Sequence, residues 1–231
     1  MIFTKKILAL FAAALLLTGC GSLPLLSGGD QAETVVENEP EESKQAVADE
    51  QSQASINPYL ENRKSIPAAA QKRFAQALAA MDNGQWQQAE EPLLQITIDY
   101  PKLSGAYLNL GICYRHMGKP KLAEDYFMES IRANANNLDA YNWLALTKRE
   151  GGDFKAAENL YQQALAVWPD HPESHYNLAV LSELYMGNLE QARHHFSQHQ
   201  KLLTEPDKRI AAWIKDLQRR INALADNGAT P

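Results

Sequence analysis

The sequence predicts an all-α fold: a solenoid of about four helix-turn-helix repeats closed by a C-terminal helix and preceded by a disordered segment. Three observations predict it. Gly84, Gly118 and Gly152 recur every 34 residues. Ala89, Ala123 and Ala157 keep the same spacing, as do Leu110, Leu144 and Leu178. Beyond the repeats, Ile210, Trp213, Ile214, Leu217, Ile221 and Leu224 form the apolar stripe of one further helix. Self-similarity at a fixed period is the signature of stacked units, each leaving an apolar face that only a neighbour can cover.

Residues 1–19 read as a signal peptide. Lys5 and Lys6 supply a positive start, and Ile7 to Leu17 form an apolar run of eleven residues. A membrane-spanning helix needs about 20 apolar residues, so a cleaved leader fits this run better than an anchor does. Leu17-Thr18-Gly19-Cys20 resembles a bacterial lipobox. The resemblance implies that Cys20 is acylated, becomes the amino terminus and holds the chain on a membrane through several acyl chains, since one chain alone binds marginally. Gly21 stands where Asp would favour the inner membrane, which implies an outer-membrane lipoprotein facing the periplasm. The alternative is an ordinary signal peptide that ends near a cysteine.

Residues 20–66 form the expected tether. Ser22, Ser27, Gly28 and Gly29 are followed by Glu33, Glu37, Glu39, Glu41, Glu42, Asp49 and Glu50, with no aromatic residue before Tyr59. Such a segment cannot bury enough apolar area to offset its ordering entropy. A flexible chain of this length reaches roughly 35–40 Å.

The repeats occupy 67–204, in units of about 70–103, 104–137, 138–171 and 172–204. The second unit reads Tyr107-x2-Leu110-Gly111-x2-Tyr114, then Ala123-x3-Phe127. The third reads Tyr141-x2-Leu144-Ala145, then Ala157-x3-Tyr161 and Pro169. The first is weaker on its opening helix, with Phe74 and Leu78, and clear afterwards at Gly84, Ala89, Leu93 and Pro101. The fourth, with Leu178, Ala179, Gly187, Ala192 and Phe196, needs one extra residue, because Gly152 to Gly187 is 35. This pattern resembles the tetratricopeptide repeat. Small residues at its eighth and twentieth positions let two helices approach, large ones fill the wedge, Gly turns the chain and Pro ends the second helix. Residues 205–226 then form a capping helix, with docking onto a partner helix as the alternative, and 227–231 a disordered tail.

Composition narrows the function. The net charge of −6 becomes −8 once Lys5 and Lys6 are removed, and no basic stripe survives, so nucleic acid is a poor partner. There is no phosphate-binding Gly loop, nucleophile elbow or paired-cysteine motif. No catalytic residue, cofactor or metal ligand is therefore expected, and the protein is not expected to be an enzyme. Cys113 lies among apolar neighbours and reads as a buried structural thiol. His195 and His199, at i and i+4 beside His194, have a spacing that can present two imidazoles to a metal, but no third ligand stands nearby.

The resemblance places partner binding on the concave face lined by the first helix of each repeat. Carried over, that face offers Leu108, Asn109, Ile112 and Arg115, then Asn142, Trp143, Leu146 and Arg149, then Tyr176, Asn177 and Val180. An Asn amide both donates to and accepts from a peptide backbone. Arg115 and Arg149 share one column and suit a carboxylate, unless they pair with local acids such as Glu150. Alanine at Asn109 and Asn142 is expected to weaken partner capture and leave melting unchanged. The expectation is an envelope scaffold that binds a protein or peptide and assists assembly of an envelope machine. A pilotin-like role in pilus or secretin assembly and an adaptor for peptidoglycan-remodelling enzymes are its narrower forms. A self-assembling structural protein is the other class, and a homo-oligomer is possible without being indicated.

Overall fold

The computed structural model describes residues 55–61, 65–226 and 228. The signal peptide, Cys20 with its acylation, most of the tether and all of the tail except Gly228 lie outside the described residues. Within them the chain is helical, with no strand. A short α1 (Pro58–Glu61) precedes four antiparallel pairs: α2 (Ala68–Asp82) with α3 (Trp86–Asp99), α4 (Ser104–His116) with α5 (Pro120–Ala133), α6 (Leu138–Glu150) with α7 (Phe154–Val167), and α8 (Pro172–Leu184) with α9 (Leu189–Leu202). The last helix, α10 (Lys208–Asp226), lies against α9. This is the all-α solenoid that the period predicts.

Local chemistry sets each boundary. Gly84, Gly118, Gly152 and Gly187 all take φ between 68° and 83°, a left-handed conformation that costs any other residue strain. In the first three of these turns the chain closes a Schellman motif. For example, Gly118 N–H donates to Arg115 O (3.0 Å) and Lys119 N–H to Tyr114 O (2.9 Å). The residue added in the fourth repeat falls in the α8–α9 turn, where Leu184, Tyr185 and Met186 are exposed. Pro120 and Pro172 open α5 and α8, where a missing N–H costs nothing. Asp153 and Asn188 cap α7 and α9 through side-chain acceptors.

The small-residue columns do what the pattern requires. Ala77, Gly111, Ala145 and Ala179 are buried on the first helices, and Ala89, Ala123, Ala157 and Ala192 on the second. Leu93, Phe127, Tyr161 and Phe196 fill the wedge between them, each almost wholly buried. Gly111 shows the tolerance, since a Cβ built there would run into the Phe127 ring. Cys113 is buried beside them, and burial pushes its thiol up to about 11, as befits a structural sulfur.

Ile210, Leu217 and Ile221 of α10 are buried against Ala179, Leu189, Ala192 and Phe196. The stripe therefore covers the last repeat. One member, Trp213, keeps 44% of its surface exposed. The first helices of successive pairs also touch directly, α4 on α6 and α6 on α8, which puts them on one face of the stack.

A correction falls at the end of the expected tether. Residues 55–61 are placed against the repeats, with hydrogen bonds from Ser55 to Asp170 and from Asn136 to Pro58. Polar partners on the repeat junctions, which composition alone does not reveal, give this stretch something to bind.

Candidate binding groove

The face lined by α4, α6 and α8 carries every residue carried over from the repeat pattern, though the side chains play different parts. Leu108, Ile112 and Trp143 are half-buried and pack on the core around Phe127 and Leu144. Leu146 is also half-buried. Val180 and Tyr176 pack on the core shared with α10. Asn109 is half-buried, and its amide makes no hydrogen bond to another described residue.

Asn142 differs from its expected role. It is only 9% exposed, and its amide is spent inside the protein. Its Nδ2 donates to Leu138 O (3.1 Å) and Ser174 Oγ (3.0 Å), and its Oδ1 accepts from Asn177 Nδ2 (3.1 Å). His171 belongs to the same cluster. Its Nε2 lies 3.2 Å from Glu173, so its Nδ1 is free to accept from the Ser174 hydroxyl at 2.8 Å. A buried amide with satisfied partners organises a junction and cannot also read a peptide. The preceding junction has Asn137 in the column of His171, and there its Nδ2 donates to Ser104 Oγ and Ser130 Oγ, both at 3.1 Å. Asn137 and His171 share the thirty-fourth repeat position while Asn142 holds the fifth, so no single column of the repeat marks these polar locks.

Arg115 is also committed, whereas the buried Nε of Arg149 has no hydrogen-bond partner among the described residues. Arg115 makes a bidentate pair with Glu150, and its guanidinium lies 5.3 Å from the Trp143 ring centre. The local acid therefore takes the charge that a ligand carboxylate would otherwise use. Arg149 lies 5.3 Å over Tyr185, an aromatic contact supplied by the lengthened α8–α9 turn.

What remains open is the far end of the face. A cleft of about 340 Å³ is lined by Glu173, Tyr176, Asn177, Asp207, Arg209 and Trp213 among others. Tyr176 and Asn177 come from the repeat pattern. Asp207, Arg209 and Trp213 come from the start of α10, which the sequence presents only as a cap. Trp213 lies 5.6 Å from Phe196, and Tyr176 5.8 Å from the same ring, so one aromatic base supports both walls. Arg209 pairs with Asp207 at 2.9 Å, leaving the Glu173 carboxylate, 66% exposed, as the cleft's outward charge.

Of the histidines on α9, His195 pairs with His175 of α8. His175 Nε2–H donates to Pro169 O (2.8 Å), so its Nδ1 accepts from His195 Nδ1–H at 2.9 Å. His199 Nδ1–H donates to Pro172 O (2.9 Å). Among the described residues no group of three His, Cys, Asp or Glu could hold a metal. Burial, then the neighbouring His175, pushes His195 down to about 4, and burial also lowers His175 and His171. Glu158, facing His195, and Asp170, facing His175, oppose this weakly. A lowered histidine favours the neutral folded form, so its stabilisation is complete above the ordinary value near 6.5 and is lost as pH falls from there towards about 4. Urea melts at pH 7 and pH 5 should show a loss on the order of 1–2 kcal/mol after solvent screening. His195→Phe should flatten the profile. An equal slope in that variant would place the titration elsewhere.

Two tetratricopeptide-repeat family models match this chain, one over residues 74–138 and one over 137–205. The chain belongs to the tetratricopeptide-repeat family. Its curated relatives in that family include the TPR repeat-containing protein YvcD of Bacillus subtilis (strain 168), 34% identical over 105 residues, which are 45% of this chain and 22% of that protein. Tetratricopeptide repeat protein 8 of Homo sapiens is 28% identical over 99 residues, 43% of this chain and 18% of that protein. The chain thus spans about a fifth of the length of these relatives. Among solved tetratricopeptide-repeat folds, Pseudomonas aeruginosa pilF superposes with a TM-score of 0.59 at 20% identity, over 68% of this chain and 71% of that one. A thermophilic TPR protein of Thermus thermophilus gives 0.55 at 21% identity, over 70% and 85%. At these identities the likeness is one of fold. The tetratricopeptide-repeat architecture makes this chain a protein-interaction scaffold in general type.

Proposed function

We propose that the chain is a lipid-anchored scaffold of the bacterial outer membrane, facing the periplasm, which captures a protein partner through its concave face and assists assembly of an envelope machine. The observation that carries the binding part is the cleft where Tyr176 and Asn177 meet Trp213 and Arg209. Aromatic walls with a few placed polar groups are the usual form of an anchoring pocket, and a large apolar side chain of the partner fits it. With its Nδ2 bonded to Asn142, Asn177 keeps Oδ1 to accept from a backbone N–H of the same partner segment. Anchoring rests on Leu17-Thr18-Gly19-Cys20, and the outward destination on Gly21.

A photo-crosslinking residue placed at Trp213 in the full chain, in cells, tests this reading. Partner adducts are expected there and not from Arg132, on the opposite side of the repeats. Trp213→Ala should reduce capture at least ten-fold; because it also gives up the ring's packing on Phe196, capture is compared at a temperature where circular dichroism shows both chains folded. Equal adducts from both positions would remove the groove as the binding surface. Membrane fractionation of Cys20→Ala, expected in the soluble fraction, separately tests the anchor.

A further inference from the structure

The rim of the inner face, where each repeat hands on to the next, already has an occupant, and the chain itself supplies it. Ser55 N–H and Oγ–H donate to Asp170 Oδ2 at 2.8 and 2.6 Å. Trp168 Nε1–H donates back to Ser55 O and Oγ at 3.0 and 2.7 Å. Three residues on, Pro58 O accepts from Asn136 Nδ2 at 3.4 Å. Next to it, the Tyr59 hydroxyl sits beside Gly105 and Phe74: a Cβ built on Gly105 would lie 3.9 Å from both. Asp170 and Trp168 mark the junction of the third and fourth repeats, Asn136 that of the second and third, and Gly105 with Phe74 that of the first and second. One short segment, non-helical at residues 55–57 and helical from Pro58, thus crosses three junctions, running opposite to the order of the repeats.

Ile56 and Leu60 remain 73% and 56% exposed, and Pro58 and Tyr59 are half-buried, so much of the segment stays in water. The hydrogen bonds from Ser55 hold the Asp170 carboxyl below the usual carboxylate range, consistent with a charge-assisted contact. Each net hydrogen bond in water contributes little, so a competitor offering the same groups can replace the segment. Its covalent link keeps it at high effective concentration, which a competitor must overcome.

We propose that Ser55–Tyr59 is a resident pseudo-ligand on the rim of the groove, displaced by a partner peptide of the same chemistry: a hydroxyl residue for Asp170 and Trp168, and a Pro-aromatic pair three and four positions on, its aromatic residue for the Gly105 wedge. This deepens the protein-binding reading above and rests on it. The cleft at Trp213 anchors the partner, and the segment sets whether the rest of the groove is free.

The probe is a labelled peptide of residues 55–61, Ser-Ile-Asn-Pro-Tyr-Leu-Glu, titrated into the full chain. Ser55→Ala combined with Tyr59→Ala opens the groove in the full chain. That variant is expected to bind the peptide at least ten-fold more tightly than the unaltered chain, and Trp168→Ala added to it should abolish the gain. Equal binding by both chains, or none by the opened one, overturns the proposal. Amide exchange at Ser55 gives a second reading: Asp170→Asn should accelerate it at least ten-fold, and an unchanged rate overturns the proposal. The two readings separate cleanly. Partner adducts at Trp213 alongside equal peptide binding would leave the scaffold and remove the resident segment. Peptide capture by the opened chain without any partner adduct would do the reverse.

Discussion

Phe127→Ala is expected to lower stability by about 3–5 kcal/mol, the range for deleting a fully buried aromatic side chain. Its ring has no exposed surface and closes over Gly111, which has no side chain to fill the space left behind. Trp143 of the next repeat stacks on it at 6.3 Å, so the loss reaches the junction of the second and third repeats. A solenoid is held by such nearest-neighbour interfaces. Urea unfolding followed by circular dichroism should therefore separate into two transitions, with α6 to α10 persisting longer. A single transition shifted by less than about 1 kcal/mol would show that the wedge column carries less of the stability than its burial implies.

Asn142→Ala should cost about 2–3 kcal/mol, reversing the unchanged melting that a groove-lining role leads one to expect. The amide bridges Leu138 O, Ser174 Oγ and Asn177 Nδ2, all at the third and fourth repeats. Alanine takes a partner from the buried Ser174 hydroxyl and from the half-buried Asn177 amide, and the desolvation cost of those groups makes the change expensive. Asn109→Ala, by contrast, removes an amide that bonds to no other described residue and should move melting by less than about 0.5 kcal/mol. Thermal melts of the two single variants check the contrast. Equal shifts would mean that the junction cluster is dispensable.

The fold was legible in the sequence because its period is written in residues that physics constrains tightly. Gly84, Gly118 and Gly152 must turn the chain through positive φ, and the alanine columns must admit a facing helix. Such positions tolerate few substitutes, so they repeat visibly. The binding face was legible only as a location. Whether Asn142 points into a junction and Asn109 into solvent depends on side-chain partners from the next repeat, far off in sequence. Arg115 carries the same ambiguity, and Glu150 settles it from the next first helix. Trp213 was read by its place in an apolar stripe, and a stripe does not say which of its members overhangs the edge of the surface it covers. Residues 55–61 were hidden for a related reason, since a polar segment that lacks a core of its own gives no periodic sign that it will lie on someone else's.

The way helices pair here also bears on how the chain is made. Nearly every helix finds its main contacts on the helix before or after it in sequence, with the α4–α6 and α6–α8 touches reaching only one element further. Low contact order of this kind favours fast folding. A hairpin emerging from a ribosome already has most of its neighbours, so the stack can grow one pair at a time in the order of synthesis. Only the final face waits, bare until α10 is complete. The interval between finishing α9 and finishing α10 is therefore when a nascent chain is most exposed to aggregation, and a chain that stops short of Ile221 carries that exposure for good.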